Sequence, residues 1–414
     1  MSIAHQTEPT VPPHMASADS LHIIPERQES VPRPLLIEFT GSGSEYFRIW
    51  IVNLLLTLVT VGLYLPWAKV RRLRYFYSNT LIDSDPLHFH GAPLQMFKGF
   101  VIVVVGFALY SVAGEFSPTA GFLAFLVVAA LWPVLFRSSM CFRLSNTSWR
   151  GLRFAFSGST KQAYLAWLPL FLPSIALLTL SLLAPAMSDP DPNHKMAWFD
   201  SLALGLIVFA SIAVVPWLLY RLKYYQHQNY RFSAEATVFT TKLMDYYWTT
   251  LKCVGIVLLA YILLGVFVFI FSFGFFTSMG TKFEELQNNI LSLIIFGLSM
   301  IALGALLYSL ATPYIVARFQ NLVWSGTRSE HLQFTSTLGV APMMALSLKN
   351  WLLMLLTLGL YWPYAKVAMT RLRLESVQLA STADPAQWTA ASSLAQGSAM
   401  GDASGDFFGF DVGL

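Results

Sequence analysis

Charged residues are scarce in this chain. Asp, Glu, Lys and Arg make up 12% of its 414 residues, whereas soluble domains carry about 25%. Apolar residues reach 55%, and the mean hydropathy is +0.56. This balance excludes an ordinary soluble domain and predicts an integral membrane protein.

Cysteine and the familiar catalytic motifs are also lacking. The two cysteines, Cys141 and Cys253, form no CxxC pair, so neither a disulfide framework nor a cysteine metal site is indicated. His88 and His90 supply two imidazoles, fewer than the three protein ligands of a catalytic zinc site. The chain has no nucleophile elbow, HExxH helix, phosphate loop or dinucleotide fingerprint. We therefore expect no catalytic residues, no metal, no cofactor, no nucleic-acid partner and no enzymatic activity.

Eight apolar segments are present, and the two outermost, at 49–65 and 346–364, are among the shorter ones. The six between them form three pairs and carry almost no ionisable residues in their interiors, which argues against an ion-coupled carrier. These six lie at 97–113, 120–136, 163–186, 199–220, 251–278 and 290–312. Their lengths are close to the roughly 20 residues that span a bilayer.

The distribution of charge orients the three pairs. The connections within the pairs hold six carboxylates against Lys195 and Lys282, and the other 24 Lys and Arg residues lie elsewhere. Because Lys and Arg favour cytoplasmic loops, we expect the acidic connections to face outward and the long basic connectors to face the cytoplasm.

One stretch of the chain occurs twice. The run 53–74, NLLLTLVTVGLYLPWAKVRRLR, returns as 350–371, NWLLMLLTLGLYWPYAKVAMTR. The two copies are identical at 13 of 22 positions, which indicates an internal duplication. Each copy has an apolar arm, a break at Gly-x-Tyr-x-Pro, and a basic arm suited to water or phosphate headgroups.

The number of crossings depends on these two short segments. If both cross, the chain has eight full spans and exports the basic arm of the second copy, against the charge rule. If each turns back, at Gly62 and at Gly359, six full spans remain. We favour the second arrangement, an all-α polytopic membrane protein with six full transmembrane helices as three hairpins and two short re-entrant or half-embedded helices. Since irregular backbone at that depth needs protein around it, both turns are expected to pack inside the bundle.

The cytoplasmic connectors repeat as well. An Asn stands ten residues before a Phe at Asn79 and Phe89, at Asn146 and Phe156, and at Asn229 and Phe239, and a looser copy runs from Asn321 to Phe334. A small polar turn follows each Phe, and the residues before it alternate in character. This pattern predicts short strands that form a small cytoplasmic β layer built from the connectors.

Composition divides the chain into three parts. Residues 1–34 are polar and proline-rich, without the apolar core of a signal peptide, and residues 381–414 are rich in Ala, Ser, Gly and Asp. Both are expected to be disordered, as a leader and a tail around a membrane domain at 35–380. The final FFGFDVGL, 407–414, is either a docking peptide for a cytoplasmic protein or an unpinned end.

The candidate binding residues are polar and aromatic positions of the duplicated run. Cations beside aromatic rings at a membrane edge suit anionic lipid headgroups, although one such arm is also typical of a positive-inside anchor. Its duplication favours binding. Asparagine inside an apolar helix either supplies a neutral hydrogen bond to a ligand or holds two helices together. The candidates are Asn53, Thr60, Tyr64, Trp67, Lys69, Arg71, Arg72, Arg74, Asn350, Thr357, Tyr361, Lys366 and Arg371.

The run 45–80, the turns that follow each Phe, and the closing FDVGL resemble the YjgN-like family of bacterial inner-membrane proteins, known as domain of unknown function 898. The resemblance covers about residues 35–380 and the terminal peptide. It implies a multi-pass protein of the bacterial inner membrane and supplies no catalytic residues. The second copy departs from the first where Ala368 and Met369 replace Arg71 and Arg72.

Two functions fit these features. In the first, the two turned segments form a polar site open to the cytoplasm that binds or moves an anionic amphipathic molecule such as a membrane lipid. In the second, the protein is a scaffold whose β layer and tail recruit a cytoplasmic partner.

Overall fold

A computed structural model describes residues 32–183, 198–233, 235–279 and 290–383 of this chain. The expected leader, up to residue 31, and the tail beyond residue 383, with its terminal peptide, lie outside these residues. The described part consists of helical hairpins that stand on a layer of short β-strands.

Ten helices pair in chain order into five hairpins within the described residues. Hairpin 1 is α1 with α2, hairpin 2 is α3 with α4, and so on to hairpin 5, which is α9 with α10. The helices are α1 Gly43–Val59, α2 Leu65–Ser78, α3 Pro93–Phe116, α4 Pro118–Ser145, α5 Thr160–Leu183, α6 Trp198–His227, α7 Leu243–Met279, α8 Ile290–Ser325, α9 Val340–Leu356 and α10 Trp362–Glu375. The duplicated run thus forms the two shortest hairpins, the first and the last.

Short antiparallel strands connect the hairpins. They are β1 Arg33–Leu35, β2 Ile37–Phe39, β3 Thr80–Ile82, β4 Asp85–Phe89, β5 Thr147–Trp149, β6 Leu152–Phe156, β7 Tyr230–Phe232, β8 Glu235–Ala236, β9 Val238–Phe239, β10 Thr327–Arg328, β11 Leu332–Ser336 and β12 Val377–Ser381. One sheet has the order β1-β12-β11-β10-β9, and the other runs from β2 to β8 in chain order. The predicted β layer is therefore present, and the chain is mostly helical, as predicted.

The two sheets join into a closed β ring. Only Leu36 separates β1 from β2, and only Thr237 separates β8 from β9, so each sheet passes into the other at both ends. Apolar side chains from both sheets fill the ring, among them Leu35, Trp149 and Phe232. The ring is a packed layer with a core of its own rather than an open pore.

All five hairpins leave the β ring from the same edge. In an antiparallel meander, successive connections alternate between the two edges, and here each helical hairpin alternates with a short turn. Two of these turns, Asp83-Ser84 and Arg150-Gly151, have positive φ at both residues, as a two-residue type I′ turn requires. Both ends of every hairpin therefore lie on one face of the molecule.

A backbone hydrogen bond also joins the two ends of each helical hairpin. The backbone N–H of the first residue of the polar turn donates to a carbonyl just past the end of that hairpin, at 2.8 to 3.0 Å. The pairs are Thr40 with Asn79, His90 with Asn146, Ser157 with Asn229, Thr240 with Gly326, and Thr337 with Ser376. The Asn–Phe spacing found in the sequence marks this joint. Its fourth copy is not Asn321–Phe334 but Gly326–Ser336, which keeps the ten-residue spacing without either marker residue.

Four helical stretches within the described residues are long and apolar enough to span a membrane. They are Pro93–Phe116, Thr119–Ser145, Leu204–His227 and Leu243–Val266. The predicted class, a mostly helical membrane protein, is confirmed. Helix α9 is apolar but shorter, with 17 residues.

The chain reverses at the two glycines of the duplicated run. Gly62 has φ +89° and Gly359 has φ +88°, and each follows a residue of positive φ, Val61 or Leu358. The side chains at these tips are not enclosed by protein, since Val61 is 91% exposed and Leu358 is 94% exposed. The expectation that both turns pack inside the bundle is therefore wrong.

The exposed tips satisfy their own backbone donors. In hairpin 1 the N–H groups of residues 60 to 65 all donate to acceptors within the same turn, and those of residues 357 to 362 do so in hairpin 5. A turn without orphaned donors does not need surrounding protein to enter hydrocarbon.

Candidate functional site

A cavity of about 560 Å³ opens between hairpin 1, α3 and the start of α10. Its polar lining comes mainly from Asn53, Lys69 and Arg72. Aromatic rings, including those of Trp50 and Trp362, form much of the remaining wall. A basic floor below apolar walls suits a molecule with an anionic head and an apolar chain.

Aromatic contacts between the first and last hairpins build one wall of the cavity. The rings of Trp50 and Trp362 lie 6.0 Å apart between centroids, and those of Tyr46 and Trp362 lie 6.2 Å apart. Phe47 and Tyr364 make a similar contact at 5.9 Å. Closure of the β ring brings these helices together although they stand at opposite ends of the sequence.

Asn53 presents an unsatisfied hydrogen-bond acceptor. Its Nδ2 donates to the Ala68 carbonyl at 3.5 Å, a long hydrogen bond across hairpin 1. The residue is 8% exposed, and its Oδ1 is buried without a hydrogen-bond partner among the described residues. A buried acceptor without a partner costs about 1–3 kcal/mol. A hydroxyl donor from a ligand, or a water molecule, would remove that cost.

Charge in and beside the cavity is predominantly positive. Burial raises the pKa of Tyr46 to about 12, although nearby Arg72 lowers it, so this phenol stays protonated at neutral pH. Arg72 also interacts with Lys366. Burial lowers the pKa of Lys366, and repulsion from Arg72 and Arg373 lowers it further. An anion bound beside these groups would relieve that repulsion.

Two predicted cations stabilise the fold. The Arg74 guanidinium donates to the Gly91 carbonyl at 3.2 Å, before α3. Its counterpart Arg371 donates to the Gly41 carbonyl at 2.9 Å, before α1. Each arginine therefore holds the start of the next hairpin around the ring.

The two predicted threonines form the hairpin tips. Thr60 Oγ1 donates to the Leu56 carbonyl at 2.7 Å and accepts from the Tyr64 N–H at 3.0 Å. Thr357 makes the same pair of bonds, including one from the Tyr361 N–H at 3.0 Å. Both hydroxyls are used within their turns.

The remaining candidates are not part of the cavity lining. Tyr64 stacks on Trp67, with ring centroids 6.1 Å apart, and exposed Arg71 lies over the Tyr64 ring. Tyr361 stacks on Tyr364 in the second copy. Asn350 is 3% exposed and also has an unpartnered Oδ1, but it is not part of the cavity lining. The two asparagines therefore do not share one site.

No group of three or more His, Cys, Asp and Glu side chains that could hold a metal ion occurs within the described residues. The His88 and His90 rings lie 6.3 Å apart between centroids, and His90 Nε2 bonds to the Ser148 hydroxyl at 2.8 Å. Both histidines are exposed, and the hydrogen bond joins His90 to Ser148 rather than to His88.

One protein family matches most of the chain. The family described as "Bacterial protein of unknown function (DUF898)" matches residues 34–407. The chain belongs to this family. DUF898 membership confirms the resemblance read from the sequence, and the match continues into the tail.

Named relatives of this DUF898 chain are inner-membrane proteins. It is 28% identical over 183 residues to "Inner membrane protein YjgN" of Salmonella typhimurium (strain LT2), covering 44% of this chain and 46% of that protein. It is 27% identical over 188 residues to the protein of the same name from Escherichia coli (strain K12), with the same coverage. The chain spans about half the length of the curated relatives it matches. No solved structure matches it.

These comparisons and the apolar helices establish a multi-pass protein of the bacterial inner membrane. The predicted location is confirmed.

Sequence reasoning missed several parts of this DUF898 site. The aromatic wall at Tyr46, Trp50 and Trp362 could not be assembled without the contact between the chain ends. Outside the cavity lining, Lys223 follows the apolar segment predicted at 199–220, whereas α6 continues past it to His227 as one helix. The signal for Lys223 was present, because a lysine in an unbroken apolar helix is a functional candidate.

Proposed function

We propose that the cavity binds an anionic amphipathic molecule, a membrane lipid, from the cytoplasmic leaflet. The observation that carries this proposal is the joint presence of Lys69, Arg72 and the unpaired Asn53 Oδ1 in one cavity with aromatic walls. The two cations attract a phosphate, and Asn53 accepts a hydrogen bond from a headgroup hydroxyl. The apolar wall takes the first part of the acyl chain.

The proposal includes a membrane topology. Hairpins 2, 3 and 4 cross fully, which gives six spans, and hairpins 1 and 5 enter and return. With 17 and 14 residues, α1 and α2 are about 26 and 21 Å long. Both are shorter than the roughly 30 Å hydrocarbon core. The β ring, with the Lys and Arg residues at the helix ends beside it, then faces the cytoplasm, as the distribution of Lys and Arg favours.

This topology places the cavity cations near the lipid headgroups. Arg72 lies six residues before the end of α2, about 9 Å below the ring side of the hairpin. Lys and Arg side chains can extend by several ångströms toward the interface while their stems remain in apolar surroundings. Phosphates of the inner leaflet are therefore within reach.

Native mass spectrometry of protein purified in mild detergent tests the binding proposal. The Lys69→Gln/Arg72→Gln variant should lose most of the anionic lipid that the unmodified protein retains. A matched control, Arg48→Gln/Arg71→Gln, removes the same charge from exposed positions of hairpin 1 outside the cavity lining and should retain it. Equal retention by all three proteins would refute the proposal.

Single cysteines test the topology. In a background without Cys141 and Cys253, cysteines introduced at Ser42, Ser78 and Ser376 should all react with an impermeant maleimide only from the cytoplasmic side. Eight full crossings would instead place Ser42 and Ser78 on opposite sides, and reaction of one of them from the periplasmic side would refute re-entry.

The scaffold function remains a second prediction. Its docking peptide, 407–414, lies outside the described residues. Deleting the tail and comparing crosslinked partners tests it, since lipid retention should be unaffected by that deletion.

A further inference from the structure

Five cations of the helical layer are linked by mutual electrostatic repulsion. We call this group the basic cluster, and its members are Arg72, Arg143, Lys223, Lys366 and Arg373. Lys366 interacts electrostatically with Arg72 and Arg373, and Lys223 interacts with Arg143 and Arg373. The members lie on the second helices of four hairpins, namely α2, α4, α6 and α10. These helices therefore contribute to one region of positive potential.

Two buried glutamines belong to the same region. Arg373 Nε donates to Gln320 Oε1 at 2.8 Å, and Gln320 Nε2 returns a bond to the Arg373 carbonyl at 2.9 Å. Lys223 Nζ donates to Gln226 Oε1 at 3.1 Å. Gln320 lies on α8, so this pair of hydrogen bonds links α8 to α10. These neutral amides position the cations but do not neutralise them.

Counter-charge is missing from most of the basic cluster. Among the residues that the structure describes, no carboxylate lies within ion-pair distance of its members on α2, α6 and α10. Burial lowers the pKa of Lys366 and of Arg373, as expected where charge is desolvated without an opposite charge. Both side chains are nevertheless exposed, so the cluster is open to solutes. These like charges repel one another, and an anion bound among them would relieve that repulsion.

We propose that the basic cluster binds a group with at least two negative charges, a phosphate monoester or a diphosphate. A single negative charge would leave most of the five cations uncompensated, whereas guanidinium groups bind the several oxygens of a phosphate with paired hydrogen bonds. Because Arg72 lines the cavity and also belongs to the cluster, one ligand can occupy both. In the lipid form of this inference, the ligand is a lipid with a phosphomonoester head, and this form rests on the proposed function. A soluble phosphomonoester would bind to the basic cluster alone.

Competition between two lipids tests the lipid form. The unmodified protein, offered equal amounts of phosphatidic acid and phosphatidylglycerol, should retain phosphatidic acid in excess by about tenfold or more, the contribution of one charge-assisted hydrogen bond. The Lys223→Gln/Arg373→Gln variant should bring the ratio toward one and still retain phosphatidylglycerol through the cavity. A matched control, Lys161→Gln/Arg318→Gln, removes two exposed cations elsewhere and should keep the preference.

Soluble anions provide a second experiment on the basic cluster. Inorganic phosphate and glycerol phosphate should each raise the thermal midpoint of the unmodified protein, and raise it less in the Lys223→Gln/Arg373→Gln variant, if the cluster takes free phosphate. A charge-conserving variant, Lys223→Arg/Arg373→Lys, should respond like the unmodified protein, which separates loss of charge from misfolding.

The outcomes distinguish the two proposals. In one outcome the unmodified protein retains anionic lipid, but the Lys223→Gln/Arg373→Gln variant has the same ratio of phosphatidic acid to phosphatidylglycerol, and phosphate raises the thermal midpoint of both proteins equally. The basic cluster is then not an anion site, while the cavity proposal stands. If anionic lipid is not retained at all but phosphate stabilises only proteins with an intact cluster, the cavity proposal fails and the cluster stands.

Discussion

Replacing Thr60 with valine removes one hydroxyl from the tip of hairpin 1 and leaves the shape of the side chain nearly unchanged. In the native turn this hydroxyl accepts from the Tyr64 N–H at 3.0 Å and donates to the Leu56 carbonyl at 2.7 Å. The Leu56 carbonyl also accepts from the Thr60 N–H at 3.0 Å, so it keeps a partner in the variant. The Tyr64 N–H loses its acceptor.

The size of the effect follows from the surroundings of that N–H group. The adjacent side chains of the tip are apolar and exposed, and on the proposed topology they face hydrocarbon, where water cannot replace the lost acceptor. An unsatisfied donor in such a place costs about 1–3 kcal/mol. Since 1.4 kcal/mol corresponds to a factor of ten, the local opening equilibrium should increase by about 5-fold to 150-fold.

Amide hydrogen exchange in lipid nanodiscs measures this change. The Tyr64 amide should lose protection in the Thr60→Val variant, whereas the Tyr361 amide, which has the same bond to Thr357 in hairpin 5, serves as an internal reference. The matched control is Thr57→Val, because the Thr57 hydroxyl only donates to the Asn53 carbonyl and its loss leaves no donor unpaired. Equal protection of Tyr64 in the two valine variants would refute a self-satisfied tip.

Three further outcomes are expected. Burial raises the pKa of Glu235, but hydrogen bonds from Ser329 and His331 lower it below the ordinary 4.5 overall. The stabilisation by this carboxylate is therefore present above about pH 4.5 and is lost as the pH falls further. Thermal unfolding followed by circular dichroism should show a lower midpoint below about pH 4.5, and Glu235→Gln should make the midpoint less dependent on pH. Arg371→Gln should lower the thermal midpoint more than Arg371→Lys, because lysine can still donate to one of two carbonyls; equal losses would contradict this. Tyr75→Phe should cost about 1–2 kcal/mol in unfolding free energy, since the hydroxyl both accepts from and donates to the Ser42 backbone at 2.8 Å, and an unchanged free energy would contradict it.

The reversals at Gly62 and Gly359 could be predicted because they depend on local chemistry. A left-handed backbone favours glycine, the preceding threonine supplies an acceptor for the next turn, and proline starts the returning helix. The same letters occur in both copies, so the duplication repeats the prediction. The expectation about shielding was wrong because it assumed unsatisfied donors in the irregular turn, whereas the turn satisfies its own backbone N–H groups.

Closure of the β ring could not be predicted in the same way. It depends on β1 pairing with β12, residues that stand more than 300 positions apart, and short strands carry little information about their partners. The fourth joint was also misplaced, because Gly326 and Ser336 replace the usual Asn and Phe. Ser336 Oγ donates to Asn321 Oδ1 at 2.8 Å, so Asn321 contacts this joint from within α8.

Ring closure and unequal hairpin length together explain where the cavity forms. Closure makes hairpins 1 and 5 neighbours, so the two short members of the ring stand side by side. On the proposed topology this leaves a notch in the bundle, with apolar tips below it and the long helix α3 at its edge. The cavity opens at that edge, where Phe100 of α3 faces Lys69 and Arg72 of α2. A ring of five equal hairpins would close this side, and on the proposed function the shortness of the duplicated segments gives an acyl chain access to the half-buried cations Lys69 and Arg72.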